Sequence, residues 1–115
     1  MVFYYNPASP VLNKVNFSVK KGEMVGLIGP SGAGKTTLVD LMLRLYTPIS
    51  GAILVDKKNI NDVEISSWRK NIGYVSQDIF LMNDTITNNI KFYNAGLTPG
   101  EIEEAAKMAN IYDFI

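Results

Sequence analysis

The spacing of apolar residues sorts the chain into alternating strand-like and helix-like segments. Val2 to Tyr5 is β-branched or aromatic and predicts a strand, and "NPASP", Asn6 to Pro10, reads as a loop on its proline and serine content. "VNFSVK", Val15 to Lys20, alternates apolar and polar, the pattern of a half-buried strand. After the turn "KKGE", the run "MVGLIG", Met24 to Gly29, is apolar throughout, as in a strand covered on both faces. The period then changes. Leu38, Leu41, Met42, Leu45 and Tyr46 fall on one helical face, with Asp40 and Arg44 on another, so a helix is expected to about Tyr46, ended by Pro48 and Gly51.

The second half is less regular. "AILVD" to "NIND" reads as a short strand and turn, Ser66 to Lys70 as one helical turn, and Ile72 to Ser76 as a strand. Asp84 or Thr85 is placed to cap a short helix through Ile90. A last helix starts at "LTPGEIEEAAKMAN", with Thr98 as N-cap, Pro99 at the first helical position and Glu101 completing a capping box. Antiparallel-looking strands followed by α/β alternation predict an α/β class with a β-rich flank.

Composition narrows the chemistry. The 115 residues suit one domain, and 11 Lys plus Arg balance 11 Asp plus Glu. Nothing in this neutral chain looks like a nucleic-acid surface or a polybasic membrane patch. It has no Cys, hence no disulfide framework or thiolate metal site, and no His, the commonest general base. No apolar run reaches the ~20 residues that span a bilayer, and "MVFYYNPASP" is not a signal peptide. The terminal "MANIYDFI" is apolar where chain ends are normally polar, so both ends read as cuts.

Gly29-Pro30-Ser31-Gly32-Ala33-Gly34-Lys35-Thr36 matches the phosphate-loop pattern G-x-x-x-x-G-K-[ST] in full, between a predicted strand and a predicted helix. The residue types follow from the task. Backbone N–H groups must converge on an anion, so Gly32 and Gly34 supply positive φ without a Cβ in the way. The helix N-terminus adds unpaired N–H groups and a favourable dipole. Lys35 adds a full charge for the β and γ phosphates, and Thr36 a hydroxyl for Mg²⁺. Thr37, next on the helix, is counted with the nucleotide-binding set.

Beyond this loop the chain resembles the N-terminal half of the ATP-binding domain of ABC transporters, exporter type. The resemblance runs through "FYYNPASPVLNKVNFSVKKGEMVGLIGPSGAGKTTLVDLMLRLY", "PISGAILVD", "WRKNIGYVSQDIFLMNDTITNNI" and "EIEEAAKMANIYDFI". It implies a P-loop NTPase core with an antiparallel flank, incomplete here, and two further strands between the "MVGLIG" and "IGYVS" strands. Residues 1–115 would hold the phosphate loop at 29–36, a Q-loop region at 76–84 and the start of a helical subdomain at about 98–115.

The resemblance places the adenine-stacking aromatic on Tyr5, with Tyr4 next in line. The plain alternative is that Phe3 and Tyr5, on one strand face, are both core. It places the Q-loop glutamine on Gln77, whose carboxamide oxygen reaches Mg²⁺ or the attacking water. Lys35 and Gln77 are thus the candidate catalytic residues, and Thr36 and Gln77 the candidate metal ligands. Phe80, Leu81 and Met82, apolar in a loop, are the expected docking surface for a membrane-spanning part, with core cover as the alternative. A second copy of the domain is the further expected partner, and the location implied is the cytoplasmic face of a membrane, the fragment itself being soluble.

Asp56, at the end of "AILVD", looks like a metal-binding aspartate but lies only about 20 residues past Lys35. The family's hairpin there usually has Gly after the Asp, where this chain has Lys57. The family's LSGGQ signature, Asp-Glu strand and switch histidine are all missing, so this chain alone is expected to be inactive, and its bare apolar strand to self-associate or rearrange. The other readings are a soluble ABC-type or other P-loop NTPase unlinked to transport, a small P-loop kinase using Arg44 and Arg69, and a non-catalytic binding module.

Overall fold

The computed structural model describes residues 1–115, which divide into two compact units, Met1–Tyr74 and Val75–Ile115. The first begins with a hairpin of β1 (Phe3–Asn6) and β2 (Ser9–Leu12), paired antiparallel with Phe3 opposite Leu12. The expected loop at Asn6 to Pro10 is thus shorter: Ser9 and Pro10 already belong to β2, and the turn is Pro7-Ala8, with the Ala8 N–H bonded to the Asn6 side chain. The hairpin packs on α1 (Lys35–Met42) through Phe3, Leu12, Leu38 and Leu41, with Met1, Val11, Val15, Met42 and Ile53 around them. This core seats the phosphate loop, because β2 and the first turn of α1 meet at Gly34.

Helix α1 ends sooner than its apolar spacing predicts. Arg44 takes a left-handed φ of 55°, and the N–H groups of Arg44 and Leu45 bond to the carbonyls of Leu41 and Asp40. That is a Schellman cap with arginine at the position glycine normally fills. Leu45 and Tyr46 therefore lie beyond the helix.

A second hairpin, β3 (Leu54–Val55) and β4 (Lys58–Asn59), turns through Asp56 and Lys57, both at positive φ (48° and 67°). This two-residue turn wants φ > 0 at both positions, and Lys57 meets the requirement without being glycine. Asp56 is a turn residue, and no group of three or more acidic side chains is arranged to hold a metal. A 3₁₀ turn (Ile60–Asp62) and α2 (Ile65–Arg69) complete the unit.

In the second unit α3 (Ile86–Lys91) is capped by the Thr85 side chain, and α4 (Pro99–Met108) by the full Thr98–Glu101 capping box. α4 buries Ile102 and Ala106, ends in a second Schellman cap with Asn110 at φ 57°, and is followed by a 3₁₀ turn, Tyr112–Phe114.

Three expected strands do not form. Val15–Lys20 pairs only at Val15, which exchanges hydrogen bonds with Met1, and Met24–Gly29 and Ile72–Ser76 join no ladder. Met24 (99%), Ile28 (100%) and Val75 (95%) are almost wholly exposed. The residues have strand composition, but a strand exists only through a hydrogen-bonded neighbour, and none of these segments has one in this chain. The sheets present are two antiparallel pairs, so the parallel layer of the expected α/β core is not built from these residues.

Candidate functional site

The phosphate loop runs from Gly29 into α1. Gly32 and Gly34 both adopt left-handed φ, 80° and 85°. At Gly34 the requirement is double. A Cβ there would lie 2.8 Å from Leu12 Cδ2 and 3.2 Å from both Val11 Cγ1 and the Val11 carbonyl oxygen, so only glycine lets the loop close against β2. The Ala33 N–H donates to the Pro30 carbonyl at 3.2 Å, closing the tight turn around Ser31 and Gly32.

The start of α1 differs from that of the other three α-helices. Glu64 caps α2, Thr85 caps α3 and Thr98 caps α4, each with a side-chain oxygen on the free N–H groups. Gly34 has no side chain to offer, and no acidic residue stands in the first turn of α1. The N–H groups of Lys35, Thr36 and Thr37 are therefore left for an external acceptor, at the positive end of the helix dipole.

Lys35 folds over the loop. Its ammonium donates to the carbonyl oxygens of Gly29 and Pro30, each at 2.7 Å, which uses two of its three hydrogens. The one salt bridge in the chain is Lys107–Glu103, so no carboxylate neutralises Lys35. A positive charge unpaired by protein, beside uncapped N–H groups and two left-handed glycines, can hold a polyanion at one point. Thr36 is exposed beside it, whereas Thr37 is buried and its hydroxyl lies 3.2 Å from the Tyr5 hydroxyl.

Tyr5 and Phe3 part company in burial. Phe3 is core at 4% exposure, while Tyr5 remains 57% exposed on the edge of the same hairpin. The reading in which both are core is corrected: the twisted, bulged β1–β2 pairing turns Tyr5 out toward α1, and its ring keeps accessible surface.

Gln77 and Phe80 to Met82 belong to the second unit. Gln77 is exposed, at a bend where the Ser76 hydroxyl donates to the Asp78 carbonyl. Phe80 and Leu81 are exposed (66% and 74%) and Met82 is half-buried. The sequence did not single out Asn89, whose carboxamide organises this loop. Its Oδ1 accepts from the Met82 N–H at 2.8 Å, and its Nδ2 faces the carbonyls of Met82, Asp84 and Thr85 at 3.0–3.3 Å. An Asn inside a predicted short helix, just after a loop, was the available signal, since such residues bond nearby backbone.

Arg44 and Arg69, the only arginines a kinase reading could use, are both committed to backbone. Arg44 donates to the carbonyls of Val63 (2.6 Å) and Asn61 (3.4 Å), and Arg69 to those of Leu43 (3.0 Å) and Arg44 (3.2 Å). Neither is free to hold a phosphoryl acceptor.

Comparison with known proteins agrees with the loop. The family model described as ABC transporter matches residues 12–114. The chain is 43% identical over its whole length to the "Iron-sulfur clusters transporter atm1, mitochondrial" of Neurospora crassa, and covers 16% of that protein. It is 47% identical over 107 residues, 93% of the chain, to the "ATP-dependent lipid A-core flippase" of Syntrophus aciditrophicus, covering 18% of it. A solved bacterial Atm1-family ABC exporter with ATP bound superposes with a TM-score of 0.88 at 42% identity, over 98% of this chain and 20% of that one. The chain thus spans about a fifth of the length of the relatives it matches.

Proposed function

The chain belongs to the ABC transporter family and to its P-loop NTPase fold, and from that premise we propose that it binds ATP at Gly29–Thr37 as part of an exporter's motor domain. The observation that carries this reading is the one uncapped α-helix start, that of α1, with Lys35 folded over it and no carboxylate against the ammonium. The backbone N–H groups of Gly32 and of Gly34 to Thr37 hold the α and β phosphates, with Ser31 and Ala33 shaping the same wrap. Lys35 leaves the Gly29 and Pro30 carbonyls for the β and γ oxygens. Tyr5 gives its exposed ring to the adenine.

The exposed Thr36 hydroxyl suits a hard cation and would hold Mg²⁺; Gln77, an exposed carboxamide of the second unit, is proposed as a further ligand on the family resemblance. When bound, the ion neutralises charge on the phosphates; the chain's own part is to fix their position. Gln77 orients the attacking water. A carboxamide cannot take a proton at neutral pH, so the general base must come from outside these residues. Hydrolysis therefore needs groups that this chain does not supply, and 115 residues alone turn over ATP at background. The exposure of Phe80 and Leu81, with Met82 beside them, supports a surface offered to a membrane-spanning domain, and on that reading the chain works at the cytoplasmic face of a membrane; no helix here is itself long and apolar enough to cross one. A second motor domain completes the site across a head-to-tail dimer.

Binding of ATP and of inorganic tripolyphosphate to Lys35→Ala and Tyr5→Ala tests the assignment. Lys35→Ala loses both ligands. Tyr5→Ala loses ~1–3 kcal/mol of ATP affinity and leaves tripolyphosphate unchanged, because only ATP has a base to stack. Undiminished ATP affinity in Lys35→Ala refutes the site.

A further inference from the structure

Tyr5 does not stand alone. Its ring meets Phe3 edge-to-face (centroids 5.0 Å apart, planes at 88°) and meets Tyr46 in the same way (5.3 Å, 85°), while Phe3 and Tyr46 lie 5.6 Å apart, tilted by 48°. Its hydroxyl is 3.2 Å from the hydroxyl of buried Thr37. Three rings from two distant stretches of chain thus converge on the side of α1 that follows the phosphate loop. Phe3 is buried, so its ring is a fixed floor. Tyr46 is different: it lies just past the Schellman cap of α1, is 45% exposed, and enters the corner only because Arg44 turns the chain left-handed there.

We propose that Tyr46 is a positioning residue for nucleotide-base binding: it braces Tyr5 so that the Tyr5 ring stands ready for the purine. The inference rests on the base-stacking role proposed for Tyr5. A tyrosine more than half exposed on a hairpin edge has rotamer freedom that a stacked base must remove, and that loss weakens binding. Two edge-to-face neighbours and the Thr37 contact remove it in advance. Because Tyr46 follows the helix that carries Lys35 and Thr36, the brace also keeps the base platform in register with the phosphate cradle.

Edge-to-face ring pairs are worth enough to change affinity by about 2- to 12-fold. The test measures ATP and tripolyphosphate affinity in the full chain for Tyr46→Leu, Tyr46→Phe, Tyr5→Ala and the double variant Tyr5→Ala/Tyr46→Leu. Tyr46→Leu should weaken ATP about 2- to 12-fold and leave tripolyphosphate alone. Tyr46→Phe, which keeps the ring, should match the parent. In the Tyr5→Ala background Tyr46→Leu should have no further effect. Equal loss of both ligands in Tyr46→Leu makes the residue part of the core and overturns the inference, as does full ATP affinity in Tyr46→Leu while Tyr5→Ala is impaired. Full ATP affinity in Tyr5→Ala overturns the stacking role and this inference together.

Discussion

The indole Nε1 of Trp68 donates to the carbonyl oxygen of Met42 at 2.8 Å, so a side chain of α2 caps the last residue of the phosphate-loop helix. Arg69 continues the cap onto the carbonyls of Leu43 and Arg44, and Arg44 returns two hydrogen bonds to Asn61 and Val63. The last carbonyls of a helix have no partner within it, and cationic donors suit their negative end. The two ends of α1 are thus treated oppositely: the C-terminal end is satisfied by protein, and the N-terminal end is left for a ligand.

Trp68→Phe keeps an aromatic ring and deletes the donor. It should cost about 1 kcal/mol, the net worth of one hydrogen bond, seen as a lower urea midpoint with unchanged slope. Nucleotide affinity at saturating folded protein should stay the same, because the phosphate end of the helix is untouched. An unaltered midpoint would mean that solvent replaces the indole without loss.

Asn89→Ala removes the carboxamide that holds the Met82 backbone by both its N–H and its carbonyl. The loss of one or two such bonds is worth about 1–3 kcal/mol locally. The Met82 amide should exchange hydrogen faster by a corresponding factor, while the amides of α4, capped independently by Thr98 and Glu101, keep their protection. Equal acceleration across α4 would show that the second unit opens as a whole.

The helix starts were legible because capping is local chemistry. Thr98, Pro99 and Glu101 announce themselves within four residues and sit where the spacing put them; of the two caps offered for α3, Asp84 and Thr85, the chain uses Thr85, and the Glu64 cap of α2 was not read. The left-handed turns at Gly32 and Gly34 were legible for the same reason. The strands at Met24–Gly29 and Ile72–Ser76 were misread as present because apolar composition reports what a segment would bury, whereas a ladder requires a neighbour elsewhere in the chain. The early end of α1 was hidden too. Its stop signal is a left-handed arginine, which looks like helix in sequence and is held by carbonyls at Asn61 and Val63. Tyr46 was assigned to the apolar face of that helix, and only the left-handed turn brings it to Tyr5.

Acid should act on α2 through its cap. The Ser66 hydroxyl and the N–H groups of Ser66 and Ser67 all donate to the Glu64 carboxylate and lower its pKa from 4.5 to about 2. The folded state therefore releases this proton more readily than the unfolded state, so the stabilisation is full above about 4.5 and is lost as the pH falls toward about 2. Asp84, Glu101 and Glu103 are also shifted down, so the parent chain alone does not isolate Glu64. Glu64→Gln does. The stability gap between parent and variant should hold down to about pH 4.5 and shrink as the pH is lowered from there toward about 2. A gap independent of pH would show that the carboxylate charge has no part in the cap.

Gly34→Ala tests how tightly the cradle is tied to the core. Two penalties act at once. The residue sits at φ 85°, where a Cβ costs about 1 kcal/mol, and that Cβ would stand 2.8 Å from Leu12 Cδ2 and 3.2 Å from the Val11 carbonyl oxygen. Leu12 is itself core, at 5% exposure, so it has little room to retreat. The conflict is resolved either by pushing β2 off α1, which lowers stability by about 1–3 kcal/mol, or by shifting the loop, which misdirects the N–H groups of Lys35 and Thr36. The second route weakens ATP and tripolyphosphate alike, whereas the first also moves the β1–β2 hairpin that carries Tyr5 and so weakens ATP the more. Gly32→Ala is the control, because φ there is also positive (80°) but no atom lies within 4 Å of the added methyl. Gly32→Ala should show the conformational cost alone, and Gly34→Ala a larger loss of stability. Equal losses in the two variants would mean that backbone strain, and not contact with Leu12 and Val11, dictates glycine at the start of α1.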